Sequence, residues 1–234
     1  MSVTLTPIVA VFARAPVSGR VKKRLAKEIG EAAAFQAYLD LVRHLLPRLK
    51  PVTTRGMFAE LWIAGDPSMI KCREWSSLLN GRLRQQLGSD LGSVMWHTLY
   101  THLNLGRHAI VVGSDVVSLD ADYVLEARDW LMDVDVVIGP AEDGGYGLIG
   151  LSRMAPELFK EMPWGTDRVF AITMERATAL GFSIHVMPTL WDVDSAADLA
   201  RFREVYPPPP RPPRPKMRYP GDPPEPEDLN SPFI

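Results

Sequence analysis

Residues 135–151 read DVVIGPAEDGGYGLIGL. Two short apolar runs, 136–138 and 148–151, flank the polar bend Pro140-Ala141-Glu142-Asp143-Gly144-Gly145. β-branched runs of this length, bounded by Gly and Pro, read as buried strands. The adjacent glycines permit φ > 0 and close approach of a ligand to the backbone. Glu142 and Asp143 place two carboxylates at the bend. An isolated Asp-Gly can be a plain turn, but three other polar signatures also follow apolar runs, at 13–24, 113–115 and 191–194. That recurrence points to a cleft.

Working outward, PIVAVFA at 7–13 reads as a central parallel strand, apolar on both faces. It leads into Arg14-Ala15-Pro16-Val17-Ser18-Gly19-Arg20-Val21-Lys22-Lys23-Arg24, which carries five cations between a strand and a helix. Cations and free backbone N–H groups at such a junction suit phosphate; the plainer alternative is a solvated basic loop. Neither the P-loop spacing nor G-x-G-x-x-G is present.

Further along, the spacing predicts an amphipathic helix over Glu31–Leu49, a strand over Phe58–Ala64, a helix near 68–79 and a weak strand near 83–86. Another helix is expected over 93–105, where His97 and His102 lack the i, i+4 spacing of a metal pair. A strand at 109–113 ends at Ser114-Asp115, and a helix follows at 121–132. Beyond the central stretch lie a helical stretch near 155–159 and the loop Pro163-Trp164-Gly165-Thr166-Asp167. Thr166 or Asp167 is the expected N-cap of the next helix. A last strand at 183–187 precedes Trp191-Asp192-Val193-Asp194-Ser195 and a final helix to about 205, where Asp194 could serve as a cap. Alternating strands and helices argue for a layered α/β sheet, with ligands at the carboxyl ends of its strands.

The composition is 46% hydrophobic with a net charge of −2, which argues against a nucleic-acid partner. Cys72 is the one cysteine, so no intramolecular disulfide is possible, and a reducing, cytoplasmic location is expected. The first residues show no signal-peptide pattern, and no apolar run approaches the ~20 residues of a membrane helix. Domain boundaries are expected at 1–205 for the folded part and 206–234 for a tail. Twelve of the 21 prolines fall in that tail, so polyproline II or disorder is expected there, and a partner for it is conceivable.

Carboxylates without His or Cys clusters suit a hard cation, Mg²⁺ or Mn²⁺, with Asp115, Asp192 and Asp194 as candidate ligands. Substrate phosphates would complete the shell, which points to a nucleotide.

The motifs VFARAPVSGRVKKRL, GSD, GPAEDGGYGLIGL, PWGTDR and LWDVDS resemble, in order, those of the bacterial glycosyltransferase-A-like family named radical-SAM/selenodomain-associated transferase, which is linked with arsenosugar-biosynthesis glycosyltransferases. The resemblance spans about residues 7–204. It implies a nucleotide-diphospho-sugar transferase (GT-A, Rossmann-like) fold, a three-layer α/β sandwich with a mostly parallel central sheet, and kinship with the molybdenum-cofactor and phospholactate nucleotidyltransferases. It implies nucleotide binding by Arg14, Gly19, Arg20, Lys22 and Arg24, and catalytic roles for Asp115 and Asp143. It further implies metal ligation by Asp115, Asp192 and Asp194, and a substrate side formed by Glu142, Gly144, Gly145, Trp164 and Thr166. The chain departs from the family pattern at Ser18-Gly19-Arg20 (usually Pro-Gly-Lys), Lys23 (usually Thr) and Val116-Val117 (usually Cys-Pro). The expected function is metal-dependent glycosyl transfer from a nucleotide-sugar to a small-molecule acceptor. The alternatives are a nucleotidyltransferase joining an NTP to a phosphorylated acceptor, and a non-catalytic nucleotide-binding scaffold.

Overall fold

A computed structural model describes residues 5–207. In chain order the elements are β1 (Leu5–Arg14), α1 (Lys23–Ile29), α2 (Glu31–Leu49), β2 (Phe58–Ala64), α3 (Ile70–Leu79), β3 (Arg82–Gln85), α4 (Leu91–Leu103), β4 (Arg107–Gly113), α5 (Ala121–Trp130), β5 (Val136–Pro140), β6 (Tyr146–Leu151), α6 (Val169–Ala179), β7 (Ile184–Val186) and α7 (Ala196–Val205). The strands form one sheet in the order β3-β2-β1-β4-β6-β5-β7. All neighbours are parallel except β6, which runs antiparallel to β4 and β5. The bend at 141–145 is too short for a parallel crossover, so the second apolar run must return antiparallel.

Helices cover both faces. Val9 and Val11 of β1 face α2, α3 and α5 through Leu45, Leu46, Trp75 and Val124. Ile8 and Ala10 face α4 and α6 through Met95, Leu99 and Ala177. Alternate side chains of one strand thus enter two separate apolar layers, which is why its sequence is continuously hydrophobic. The result is a three-layer α/β sandwich with a mostly parallel sheet. A third apolar cluster lies at the carboxyl ends of the strands. There Leu25 of α1, Ala37 and Leu41 of α2, and Leu199 and Phe202 of α7 enclose Val117, Trp191 and Val193. Apolar residues on either side of Asp115, Asp192 and Asp194 are therefore anchored, and the carboxylates between them are held in place.

Two local expectations are corrected. The stretch near 155–159 is one short 3₁₀ turn, Pro156–Leu158. Helix α6 begins at Val169 without a side-chain cap; the Thr166 hydroxyl instead donates to the Pro163 carbonyl at 2.8 Å, closing its own turn. No helix of the described residues is long and apolar enough to cross a membrane. Of the expected tail, residues 208–234 lie outside the described residues. The Tyr206 ring packs against His44 at 4.3 Å between centroids.

One buried polar group fastens the fold away from the strand ends. Glu60, 4% exposed, accepts from Trp62 Nε1 at 2.9 Å, pairs with His102 Nε2 at 3.1 Å and accepts from Arg84 Nε at 3.2 Å. Burial alone would raise its pKa, but His102 and Arg84 outweigh this and hold the carboxyl below its ordinary value. A lowered carboxyl pKa contributes stability above the unfolded value of about 4.5 and loses it as pH falls further. Glu60→Ala should therefore cost about 3 kcal/mol at pH 7, the scale for breaking a buried pair. The difference from wild type should narrow in acid denaturation below pH ~4.5. Equal loss at all pH values would assign the effect to packing alone.

Candidate active site

The carboxyl ends of β1, β4 and β5 open into a two-lobed mouth. The larger lobe, a cavity of about 520 Å³, is lined by Arg14, Arg20, Lys22, Lys23 and Arg24 together with Asp115 and Asp194. Its loop is pinned where it leaves β1: the Tyr38 hydroxyl of α2 donates to the Arg14 carbonyl at 2.7 Å and accepts from the Arg14 N–H at 2.8 Å. Gly19 turns the loop at φ +73°, with Glu31 against it, and does not line the cavity. Among the described residues Arg14, Arg20 and Lys23 form no ion pair, so their charge is available to a ligand.

Lys22 stands apart from the other cations. Its side chain is 5% exposed, and its ammonium pairs with Asp115 Oδ2 at 2.8 Å and Asp194 Oδ1 at 3.0 Å. Burial alone would lower its pKa; the two carboxylates outweigh this and hold it well above the usual lysine value. The backbone at Lys22 is left-handed, φ 45°, a conformation that costs a non-glycine residue roughly 1–3 kcal/mol and persists only where surrounding contacts fix it. Those contacts are the two carboxylates. Read from the sequence as a phosphate ligand, Lys22 is committed instead to the acidic centre.

Asp115 follows β4, and Asp192 and Asp194 lie just before α7. Each contributes an oxygen, all within 4.8 Å of one another. An isolated backbone bridge between Val116 and Asp192 sets the two segments side by side, and the Val117 carbonyl lies 3.2 Å from His44 Nε2. Val116 and Val117 are thus fastened by packing, pairing and a hydrogen bond. Burial, with repulsion from Asp115 and Asp194, pushes the Asp192 carboxyl up to about 7. Three carboxylates against the Lys22 ammonium and the exposed Arg24 guanidinium leave the cluster net negative. An all-oxygen donor set with surplus negative charge fits a hard divalent cation. Asp194 is not the helix cap: Ser195 is, in a reciprocal capping box with Asp198. The Asp194 side chain is left to Lys22 and, at 3.4 Å, to Arg24.

The smaller lobe, about 270 Å³, shares Asp115, Phe12 and Leu91 with the larger one. Asp143, Gly145, Trp164, Thr166 and Asp192 all line it. The Asp143 carboxylate accepts from the Gly145 N–H at 2.8 Å, which fixes its direction. Two residues expected on the substrate side lie elsewhere. Glu142 forms a two-pronged surface pair with Arg201 at 2.8 and 3.2 Å, and Arg201 lies 4.1 Å over the Trp191 ring. Gly144, at φ +84°, lies against the backbone of Asp167, and its carbonyl accepts from the Phe170 N–H at 2.9 Å. The close approach that required glycine is therefore to the chain's own loop, and the bend caps α6 where Thr166 does not. Gly144→Ala would bring a Cβ onto the Asp167 carbonyl and strain φ, costing roughly 1–3 kcal/mol. Faster hydrogen exchange at the Phe170 amide would locate the damage; unchanged protection would refute it.

Residues 52–166 match the family described as uncharacterized protein conserved in bacteria, DUF2064. The DUF2064 match takes in Asp115, Asp143 and Trp164. Among solved structures, the chain is similar to a candidate nucleotide-diphospho-sugar transferase of Desulfovibrio desulfuricans G20, with 24% identity, 86% of this chain and 96% of that one covered, and a TM-score of 0.73. It is also similar to 4-diphosphocytidyl-2C-methyl-D-erythritol synthase of Anaerococcus prevotii (10% identity, 86% and 98% covered, TM-score 0.55). A third similar structure is glucosyl-3-phosphoglycerate synthase of Mycobacterium tuberculosis, solved with Mn²⁺, UDP and phosphoglyceric acid (11% identity, 84% and 74% covered, TM-score 0.51). No curated protein matches. These likenesses place the chain in the fold shared by nucleotide-diphospho-sugar transferases and nucleotidyltransferases.

Within this fold the mouth also draws on residues that carried no chemical signal in the sequence. Phe12, Leu91 and Met95 line the smaller lobe, and Tyr38 and Gln86 the larger. Phe12, Met95 and Tyr38 sit on regular elements, where apolar periodicity looks the same whether it faces core or cleft, and Gln86 lies just past β3.

Proposed function

We propose that the protein is a nucleotide-dependent transferase that moves a glycosyl group from a nucleotide-sugar donor to a small-molecule acceptor. The observation that carries this reading is the division of the mouth at Asp115: cations line one side, carboxylates and aromatic rings the other. Arg14, Arg20, Lys23 and Arg24 receive the donor diphosphate, as charge-assisted hydrogen bonds to phosphate require. Asp115, Asp192 and Asp194 would hold Mg²⁺ or Mn²⁺, whose chemistry there is to neutralise charge on the departing diphosphate. Asp143, oriented by the Gly145 N–H, takes the acceptor hydroxyl proton as the new C–O bond forms and the anomeric C–O bond to phosphate breaks, releasing nucleoside diphosphate.

A second reading, transfer of a nucleotidyl group with release of pyrophosphate, is favoured by the density of cations on the loop. Both predict that Arg20→Ala binds UDP and CTP 10- to 100-fold more weakly, since a hydrogen bond to a charged group contributes ~1.5–3 kcal/mol. Calorimetric titration with Mg²⁺ present measures this, and unchanged affinity would overturn the assignment of the loop. Production of UDP from a UDP-sugar, against pyrophosphate from an NTP, separates the two chemistries.

A further inference from the structure

The smaller lobe differs from the larger in a way that bears on the acceptor. Its charged lining residues are Asp115, Asp143 and Asp192, and no Lys or Arg is among its described lining residues. Lys22, which reaches Asp115 from the larger lobe, is already committed to Asp115 and Asp194, and Arg201, over the Trp191 ring, is paired with Glu142. Asp143 is not among the carboxylates assigned to the cation, so a phosphate monoester beside it would meet an unpaired like charge, and like charges about 4 Å apart near a protein surface repel by ~4 kcal/mol. A carboxylate only accepts hydrogen bonds, so whatever Asp143 orients must donate, as hydroxyl groups do.

Thr166 apart, the remaining walls are largely apolar. Tyr146 and Trp164 meet edge to face, 6.3 Å between centroids and 84° between planes, and Phe12 and Met95 face the same space. At about 270 Å³ the lobe lies just under the ~300–1,000 Å³ of sites for drug-sized ligands. That suits a single ring, with apolar C–H groups against the aromatic walls and hydroxyls toward Asp143.

Resting on the transferase reading above, we infer that the smaller lobe is the acceptor subsite and takes an unphosphorylated, hydroxyl-bearing ring, one sugar or cyclitol unit. A phosphorylated acceptor is excluded from it by charge, and transfer to such an acceptor is disfavoured with it.

Saturation-transfer NMR on the full chain, with saturating UDP and Mg²⁺ filling the larger lobe, tests the inference. The probes are methyl β-D-glucopyranoside, myo-inositol and glucose 6-phosphate. At least one neutral ring should receive saturation in wild type and lose it at least fivefold in Trp164→Ala. Glucose 6-phosphate should give no signal while UDP is bound. Thr166 lines the lobe at an exposed position, so Thr166→Arg tests the charge argument even if Trp164→Ala fails to fold: it should admit glucose 6-phosphate. Binding of glucose 6-phosphate to wild type beside UDP, binding of neither neutral ring, or indifference of the neutral rings to Trp164→Ala and of glucose 6-phosphate to Thr166→Arg would each overturn the inference. Failure of UDP itself to bind wild type would count against the nucleotide reading; the same rings titrated without UDP then decide the subsite alone.

Discussion

Lys22→Met should lower stability by about 2–3 kcal/mol, less than the ~3–5 kcal/mol of a fully buried pair because Asp115 and Asp194 keep 36% and 40% of their side chains exposed. In a chain of this size that is a melting-temperature drop of roughly 4–12 °C. Methionine keeps the buried stem and removes only the ammonium, so the loss reports charge. The same variant leaves three clustered carboxylates without their internal cation. Mn²⁺ or Mg²⁺ should therefore raise its melting temperature more than that of wild type, by the mass action of a ligand that binds only the folded state. Thermal melts of both proteins with and without metal supply the comparison. Destabilisation with no added metal response would mean that Lys22 fastens the loop but the carboxylates do not act together.

This role for Lys22 illustrates what local sequence can and cannot carry. The layers and the location of the mouth follow from apolar periodicity and from polar residues placed just after several strands, and those are local signals; the strand order is not among them. The acidic centre was legible for the same reason: Asp115 follows β4, and Asp192 and Asp194 flank a valine buried before α7. What separates Lys22 from its four cationic neighbours is burial against two carboxylates at once, 93 and 172 residues away, and nothing within the loop announces it. Only the left-handed backbone at that position marks it, and an ordinary lysine codon carries no such mark.

Glu142 and Gly144 show the converse. Both belong to a motif that reads as one chemical unit, yet the bend divides its residues among three tasks. Asp143 faces the smaller lobe, Glu142 turns outward to Arg201, and Gly144 makes room for Asp167 and caps α6. A motif of adjacent residues cannot reveal this, because successive residues at a tight bend point in different directions. The helix start was misplaced for a related reason. A cap supplied by a carbonyl some two dozen residues upstream has no signature beside the helix it caps, whereas the Ser195–Asp198 box is visible as Ser-x-x-Asp.

Asp115→Asn should have the opposite signature to Lys22→Met. The amide keeps the shape and can still accept from the Lys22 ammonium, which also retains Asp194, so stability should fall by no more than about 1 kcal/mol, the scale of one hydrogen bond. The change removes one negative charge and one hard oxygen donor from a centre whose three carboxylates lie within reach of a single ion. UDP affinity measured with EDTA should therefore change little, because Arg14, Arg20, Lys23 and Arg24 line the larger lobe independently of Asp115. The gain in UDP affinity on adding Mg²⁺ should fall by about 100-fold, equivalent to ~2.7 kcal/mol. Asp194→Asn offers a control on stability: Ser195 caps α7, so any loss there arises from the acidic centre and not from the helix. Calorimetric titration of UDP with and without Mg²⁺ into wild type and Asp115→Asn is decisive. If Mg²⁺ strengthens UDP binding equally in both, Asp115 is no metal ligand, and its partnership with Lys22 is then wholly structural.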